Sequence, residues 1–122
     1  MIAKELLEFK NWCVVGDVGN STKYANRIFK KLESKEFNIS GVHPKGGEQI
    51  YETLKEVPYK IEVIDLCINS FSGLKYIKEA NELGIDKVLI QPGAESDEIV
   101  AFCKENGITA IEGCALVELG RM

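Results

Sequence analysis

Apolar runs and amphipathic stretches alternate along this chain, with no internal repeat and no linker between them. Residues 2–10 place Ile2, Leu6, Leu7 and Phe9 partly on one side of a short helix. Trp12-Cys13-Val14-Val15 is a wholly apolar run closed by Gly16, the pattern of a short strand buried on both faces. After the polar loop 16–22, Ala25, Ile28, Phe29 and Leu32 fall at i, i+3, i+4 and i+7, which predicts a helix. Phe37–Val42 is a second strand, closed by His43-Pro44. Residues 46–60 hold a Gly-Gly turn, a short Ile50-Tyr51 segment and one helical turn around Leu54 and Val57. Ile61–Ile68 is the strongest strand pattern in the chain. Ser70 or Ser72 then caps a helix whose apolar face includes Leu74, Ile77 and Leu83, with Gly84 at the position past its C-terminus. Lys87–Ile90 is a fourth strand, and Ser96 or Asp97 caps a helix that runs through Asn106 and ends at Gly107. Thr109–Ile111 is a fifth strand, and residues 114–122 form a short tail of helical character.

Strands that alternate with helices imply parallel pairing with right-handed crossovers. The expected fold class is therefore α/β, a three-layer Rossmann-like sandwich around a five-stranded parallel sheet. Two doubly wound orders suit this size, 3-2-1-4-5 and the flavodoxin-like 2-1-3-4-5, and the first is the expected one. In both, ligands bind beyond the carboxyl ends of the strands. The residues that follow each strand are thus where function is expected.

Composition narrows the picture. The 122 residues suit a single domain spanning 1–122, since domains cluster at roughly 100–150 residues. Fifteen Lys and Arg against 19 Asp and Glu give a net charge of −4, so no cationic field exists to collect nucleic-acid phosphates or anionic lipid. No stretch approaches the ~18 apolar residues of a membrane span, and the start Met1-Ile2-Ala3-Lys4-Glu5 lacks a signal-peptide core, so a cytoplasmic address is expected. Cys13, Cys67, Cys103 and Cys114 are dispersed without CxxC spacing, and His43 is the single histidine, so neither a zinc site nor a disulfide framework is expected.

The strand ends carry the candidate chemistry. Gly16-Asp17-Val18-Gly19-Asn20-Ser21-Thr22-Lys23 is a GxxG turn leading into a helix. It reads either as a phosphate-binding loop under a helix N-terminus or as a tight turn capped by Ser21 or Thr22. It is not a P-loop, having no GxxxxGK[ST]. The second strand ends in Val42-His43-Pro44-Lys45-Gly46-Gly47, with a cation where NAD-binding proteins place the acid that holds the ribose. Lys45 thus favours a nucleotide with an extra ribose phosphate, coenzyme A or NADP, unless it is simply a solvated turn lysine. His43 is either a stacking and hydrogen-bonding contact for a nucleotide or an ordinary turn residue.

Taken in order, Gly16-x-x-Gly19, Val42-His43-Pro44-Lys45-Gly46-Gly47, Ile64-Asp65-Leu66-Cys67, Gln91-Pro92-Gly93-Ala94-Glu95 and Glu112-Gly113-Cys114 resemble the CoA-binding domain family over about residues 10–119. That family includes small stand-alone proteins and the N-terminal Rossmann domain of succinyl-CoA synthetase alpha subunits. The resemblance implies that Gly16, Val18, Gly19 and Lys23 surround the diphosphate of coenzyme A. It places His43, Pro44 and Lys45 at the adenosine end, with Lys45 on the 3′-phosphate. Cys67, Ile68 and Asn69 would form the adenine and pantetheine wall, and Gln91, Pro92 and Gly93 would flank the pantetheine arm. The chain departs from the family pattern where Ser21 or Thr22 takes the third glycine position, where His43 replaces a frequent asparagine, and where Asp17 replaces a neutral residue. The synthetase's phosphohistidine domain has no counterpart here, so ligase activity is not implied.

Catalytic chemistry is sparse. Asp65 interrupts an apolar strand and is either a general base of raised pKa or, the favoured reading, hydrogen-bonded structure at the sheet end. Cys114 follows the fifth strand at the start of the terminal helix and is the candidate redox thiol, with Cys67 on the same sheet edge; both also read as small packing residues. Cys13 and Cys103 read as packing. The expected function is a coenzyme A or acyl-CoA binding protein without its own catalytic domain. The alternative is an NADP-dependent or thiol-redox enzyme that uses Cys114. So short a chain also leaves room for a second copy or a partner subunit to complete the cleft.

Overall fold

The alternating pattern folds as five α-helices and six strands in the computed structural model, which describes residues 1–121. In chain order these are α1 (Ala3–Leu6), β1 (Asn11–Gly16), α2 (Tyr24–Ser34), β2 (Asn38–Val42), β3 (Ile50–Tyr51), a 3-10 turn (Leu54–Glu56), β4 (Val63–Cys67), α3 (Ser70–Glu82), β5 (Lys87–Ile90), α4 (Asp97–Glu105), β6 (Thr109–Glu112) and α5 (Ala115–Gly120). The strands form one parallel sheet in the order β3-β2-β1-β4-β5-β6.

Six strands correct the expected five. Ile50–Tyr51 is too short to show any periodicity, yet it pairs with Gly41 and Val42 and becomes the outer strand. With it counted, the long apolar strand β4, third of the five that the sequence predicts, lies beside β1, in register from Trp12↔Val63 to Gly16↔Cys67. The chain therefore winds one way from β1 through β2 to β3 and the other way from β4 through β5 to β6. The reversal falls between β1 and β4.

Both faces of the sheet are covered, which explains why β1 reads as an unbroken apolar run. Trp12, Val14, Val63 and Leu89 meet α1, α2 and α5 through Leu6, Ile28, Leu32 and Leu119. Cys13, Val15, Ile64, Leu66, Val88 and Ile90 meet α3 and α4 through Ile77, Ala80, Ile99 and Cys103. All four cysteines are free, with Cys13 and Cys103 buried in packing roles. No helix among the described residues is long and apolar enough to cross a membrane.

Local chemistry moves several boundaries. The first helix shrinks from 2–10 to Ala3–Leu6, because the Phe9 carbonyl turns inward and accepts the Trp12 indole N–H at 2.7 Å. Neither Ser21 nor Thr22 caps α2. Asn20 Oδ1 takes the Thr22 N–H at 3.0 Å and its hydroxyl at 2.7 Å, an Asx-type turn that shifts the cap to Lys23. Asn69, rather than Ser70 or Ser72, caps α3 by accepting from the Ser72 N–H at 2.9 Å. The inward face of α3 is Gly73, Tyr76, Ile77 and Ala80, while Leu83 lies exposed. Ser96 caps α4 through the Ile99 N–H at 3.1 Å. Gly84 does follow the C-cap of α3, with the left-handed φ of +76° that favours glycine there.

Candidate functional site

Parallel register brings the strand ends level. Val15 lies opposite both Val42 and Leu66, Leu66 opposite Ile90, and Ile90 opposite Glu112. The loops after β1, β2, β4 and β5 therefore leave the sheet on one edge, on either side of the β1/β4 reversal. That reversal is where adjacent crossovers lie on opposite faces of a doubly wound sheet and open a crevice. A groove of about 400 Å³ occupies it.

Eight of the thirteen residues that the sequence assigns to ligand binding line this groove. Lys23 comes from the start of α2, His43 from the turn after β2, Cys67, Ile68 and Asn69 from the end of β4, and Gln91, Pro92 and Gly93 from the end of β5. Gly16, Val18, Gly19, Pro44 and Lys45 are not part of its wall, and neither is Cys114, which caps the short α5. The wall also contains Asp17, Tyr24, Ala25 and Ala94. Tyr24 was not singled out from sequence, although its place in the first turn after the glycine loop is a usable signal. Its ring is exposed, with the Arg27 guanidinium 5.2 Å from its centroid. Ala25 and Ala94 carry no chemical signature and contribute only by being small.

Gly16 acts from beneath. A Cβ here would overlap the Cys67 carbonyl oxygen across the β1/β4 pair and come within 3.0 Å of the Ala25 Cβ. The absent side chain is what lets α2 begin so close to the sheet. Gly16→Ala is expected to lower unfolding free energy by about 1–3 kcal/mol, the usual cost of overpacking, in urea denaturation followed by circular dichroism. An unchanged midpoint would contradict this account of the close approach.

Val18 donates its N–H to the Gly16 carbonyl at 2.9 Å and packs its side chain on Gly41, so its amide is already engaged within the loop. Lys23 offers no side-chain acceptor to the first turn of α2, whose amides are left to solvent or a ligand. Lys23 is an exposed cation in the groove wall and the half-buried Asp17 is a carboxylate there, while Lys45 is exposed outside the wall. The Lys45 N–H donates to His43 Nδ1 at 3.1 Å, which makes Nδ1 the bare nitrogen and leaves Nε2–H free to donate. Asn69 spends its carbonyl on the α3 cap and keeps its NH₂ group. The Gly93 N–H is taken by its own neighbour Glu95, at 2.7 Å.

Under the floor lies a buried polar pair. Gln91, 4% exposed, donates from Nε2 to Asp65 Oδ1 at 2.8 Å. Asp65 is fully buried, and its Oδ2 is the one buried side-chain polar atom without a hydrogen-bond partner among the described residues. Burial pushes the Asp65 carboxyl up to about 7, against which the Gln91 hydrogen bond pulls down. Asp65 is thus hydrogen-bonded, but in the middle of β4 between Val14 and Leu89 and not at the sheet end. The Cys67 thiol is pushed up to about 11 by burial first and by the Asp65 charge second, and a thiol held in that form is a weak nucleophile at neutral pH.

A family model described as a CoA binding domain matches residues 10–120. Among solved structures, a conserved hypothetical protein from Pyrococcus furiosus is 37% identical with a TM-score of 0.83, covering 90% of this chain and 99% of that one. A hypothetical protein from Pyrococcus horikoshii is 25% identical with a TM-score of 0.88, covering 98% and 92%. The dinucleotide-forming acetyl-coenzyme A synthetase 1 of Ca. Korarchaeum cryptofilum, in complex with phosphate and ADP, is 20% identical with a TM-score of 0.67, covering 90% of this chain and 27% of that one, and shares the fold.

Proposed function

This chain belongs to the CoA-binding domain family, and from that premise we propose that it holds coenzyme A or an acyl-CoA in the groove at the β1/β4 reversal. The observation that carries this reading is the convergence of eight residues, assigned from four separate strand ends, on one groove at the reversal point. The diphosphate would lie against the glycine loop, the first-turn amides of α2 and Lys23, where the helix dipole and a cation both favour negative charge. The adenosine end would meet His43 and Pro44, with Lys45 on the 3′-phosphate. Cys67, Ile68 and Asn69 would form one wall, and Gln91, Pro92 and Gly93 would flank the pantetheine arm.

Calorimetric titration with coenzyme A, NADP and NAD tests this. Preference for coenzyme A supports the proposal; equal binding of all three, or none, overturns it, and tighter binding of NADP would favour the oxidoreductase alternative instead. Lys45→Ala is expected to weaken coenzyme A by about two- to five-fold, the effect of an exposed charge pair worth roughly 0.5–1 kcal/mol. Dephospho-CoA, which lacks the 3′-phosphate, should bind both proteins alike. If Lys45→Ala weakens both ligands equally, the lysine does not read that phosphate.

A further inference from the structure

We propose that Asp65 acts as a positioning residue which, through its proton, decides whether Gln91 offers the ligand a carbonyl oxygen or an NH₂ group; the ligand half of this inference rests on the coenzyme A reading. The pair straddles the groove floor. Gln91 lines the groove, and Asp65 lies behind it, fully buried, with Oδ1 at 2.8 Å from Gln91 Nε2 and Oδ2 unpartnered.

An ionised carboxylate can only accept. It therefore draws the Gln91 NH₂ group inward and turns Oε1 toward the groove, where it receives an N–H or S–H donor such as the pantetheine arm carries. A protonated carboxyl donates instead. The amide then rotates by half a turn, its oxygen accepts from Asp65, and its NH₂ group faces the groove. The two amide orientations have nearly the same shape, so the exchange needs no repacking.

The surroundings isolate this equilibrium. Asp65 sits in register with Val14 of β1 and Leu89 of β5, and the buried residues packed over that face from α2 and α5 are Ala25, Ile28, Leu32, Ala115 and Leu119. The titratable groups that feel its charge are the thiols of Cys13 and Cys67. Elsewhere in the groove the ionisable side chains are Asp17, Lys23, Tyr24 and His43. Burial brings the Asp65 proton affinity to about 7, where both forms are available near neutrality.

Binding a donor from the pantetheine arm selects the ionised form and releases the proton. Dephospho-CoA is the suitable probe, because it lacks the phosphomonoester whose own ionisation would intrude. Its affinity for the wild type, taken relative to Asp65→Asn, is expected to rise about tenfold from pH 6 to pH 8, as for one linked proton. Gln91→Leu should lose the same slope, since it removes the group that transmits it. The three proteins differ only at Asp65 or Gln91, so the comparison isolates this pair. Equal slopes in the three proteins, or a slope lost in Asp65→Asn and kept in Gln91→Leu, would overturn the proposal.

A ligand-free measurement separates this inference from the binding reading. In ¹³C,¹⁵N-labelled protein, the Asp65 side-chain carboxyl carbon and the Gln91 side-chain nitrogen should titrate with one shared midpoint. A Gln91 signal that stays fixed while Asp65 titrates overturns the coupling, whether or not coenzyme A binds. Absence of binding of coenzyme A, NADP and NAD in the calorimeter overturns the coenzyme A reading alone.

Discussion

Asp65→Asn is expected to erase a pH dependence of folding worth about 4 kcal/mol between pH 4 and pH 8. The carboxyl is raised from its ordinary 3.8 to about 7 by full burial, against the pull of Gln91. Below the ordinary value, folded and unfolded chains both carry the proton and the group contributes no pH dependence. Between 3.8 and 7 the folded chain keeps a proton that the unfolded chain has lost, so stability falls as pH rises, by about 1.4 kcal/mol per pH unit. Above 7 both states are ionised and the full cost of a buried carboxylate is present. The two proteins differ only at this side chain, so the difference between their stability profiles isolates Asp65. Urea denaturation across the pH range reads it directly, and parallel profiles would show that Asp65 stays ionised in the fold.

Trp12→Ala is expected to lose about 3–5 kcal/mol, the range for deleting a large aromatic side chain from a core. The indole is fully buried, edge-on to Phe37 with ring centroids 6.0 Å apart, and its N–H is bonded to the Phe9 carbonyl. Truncation leaves a cavity on the α1/α2/α5 face and frees the Phe9 carbonyl. The loss is a large share of the roughly 5–15 kcal/mol that holds a domain together. Trp12→Phe, which keeps a ring but not the donor, should cost less. A change below about 1 kcal/mol for Trp12→Ala in urea denaturation would mean that the neighbours close the cavity, which a well-packed interior resists.

Much of the site was legible because strand ends are where apolar runs stop. His43 and Gln91 follow, and Cys67 ends, a run whose period or composition marks it as buried, and the parallel topology then delivers them to one edge. What stayed hidden depended on contacts distant in sequence. The outer strand Ile50–Tyr51 exists only because the free edge of β2 accepts it, and two residues cannot announce a period. The α2 cap moved because Asn20 offered Thr22 a closer partner than the helix did. Gly16 looked like a phosphate-loop glycine, and the fold shows a steric demand besides, since the Cys67 carbonyl occupies the place of a side chain.

By itself the sequence determined the α/β class, the alternation of elements and the strand-end residues, since burial of apolar surface has the period of the local backbone and is written locally. Only the tertiary structure decided that β4 lies beside β1, that the reversal opens there, and that Asp65, 26 residues before Gln91, meets it beneath the groove. Strand order and buried polar pairing are set by which distant groups satisfy one another's hydrogen bonds at least desolvation, and no local pattern encodes that choice.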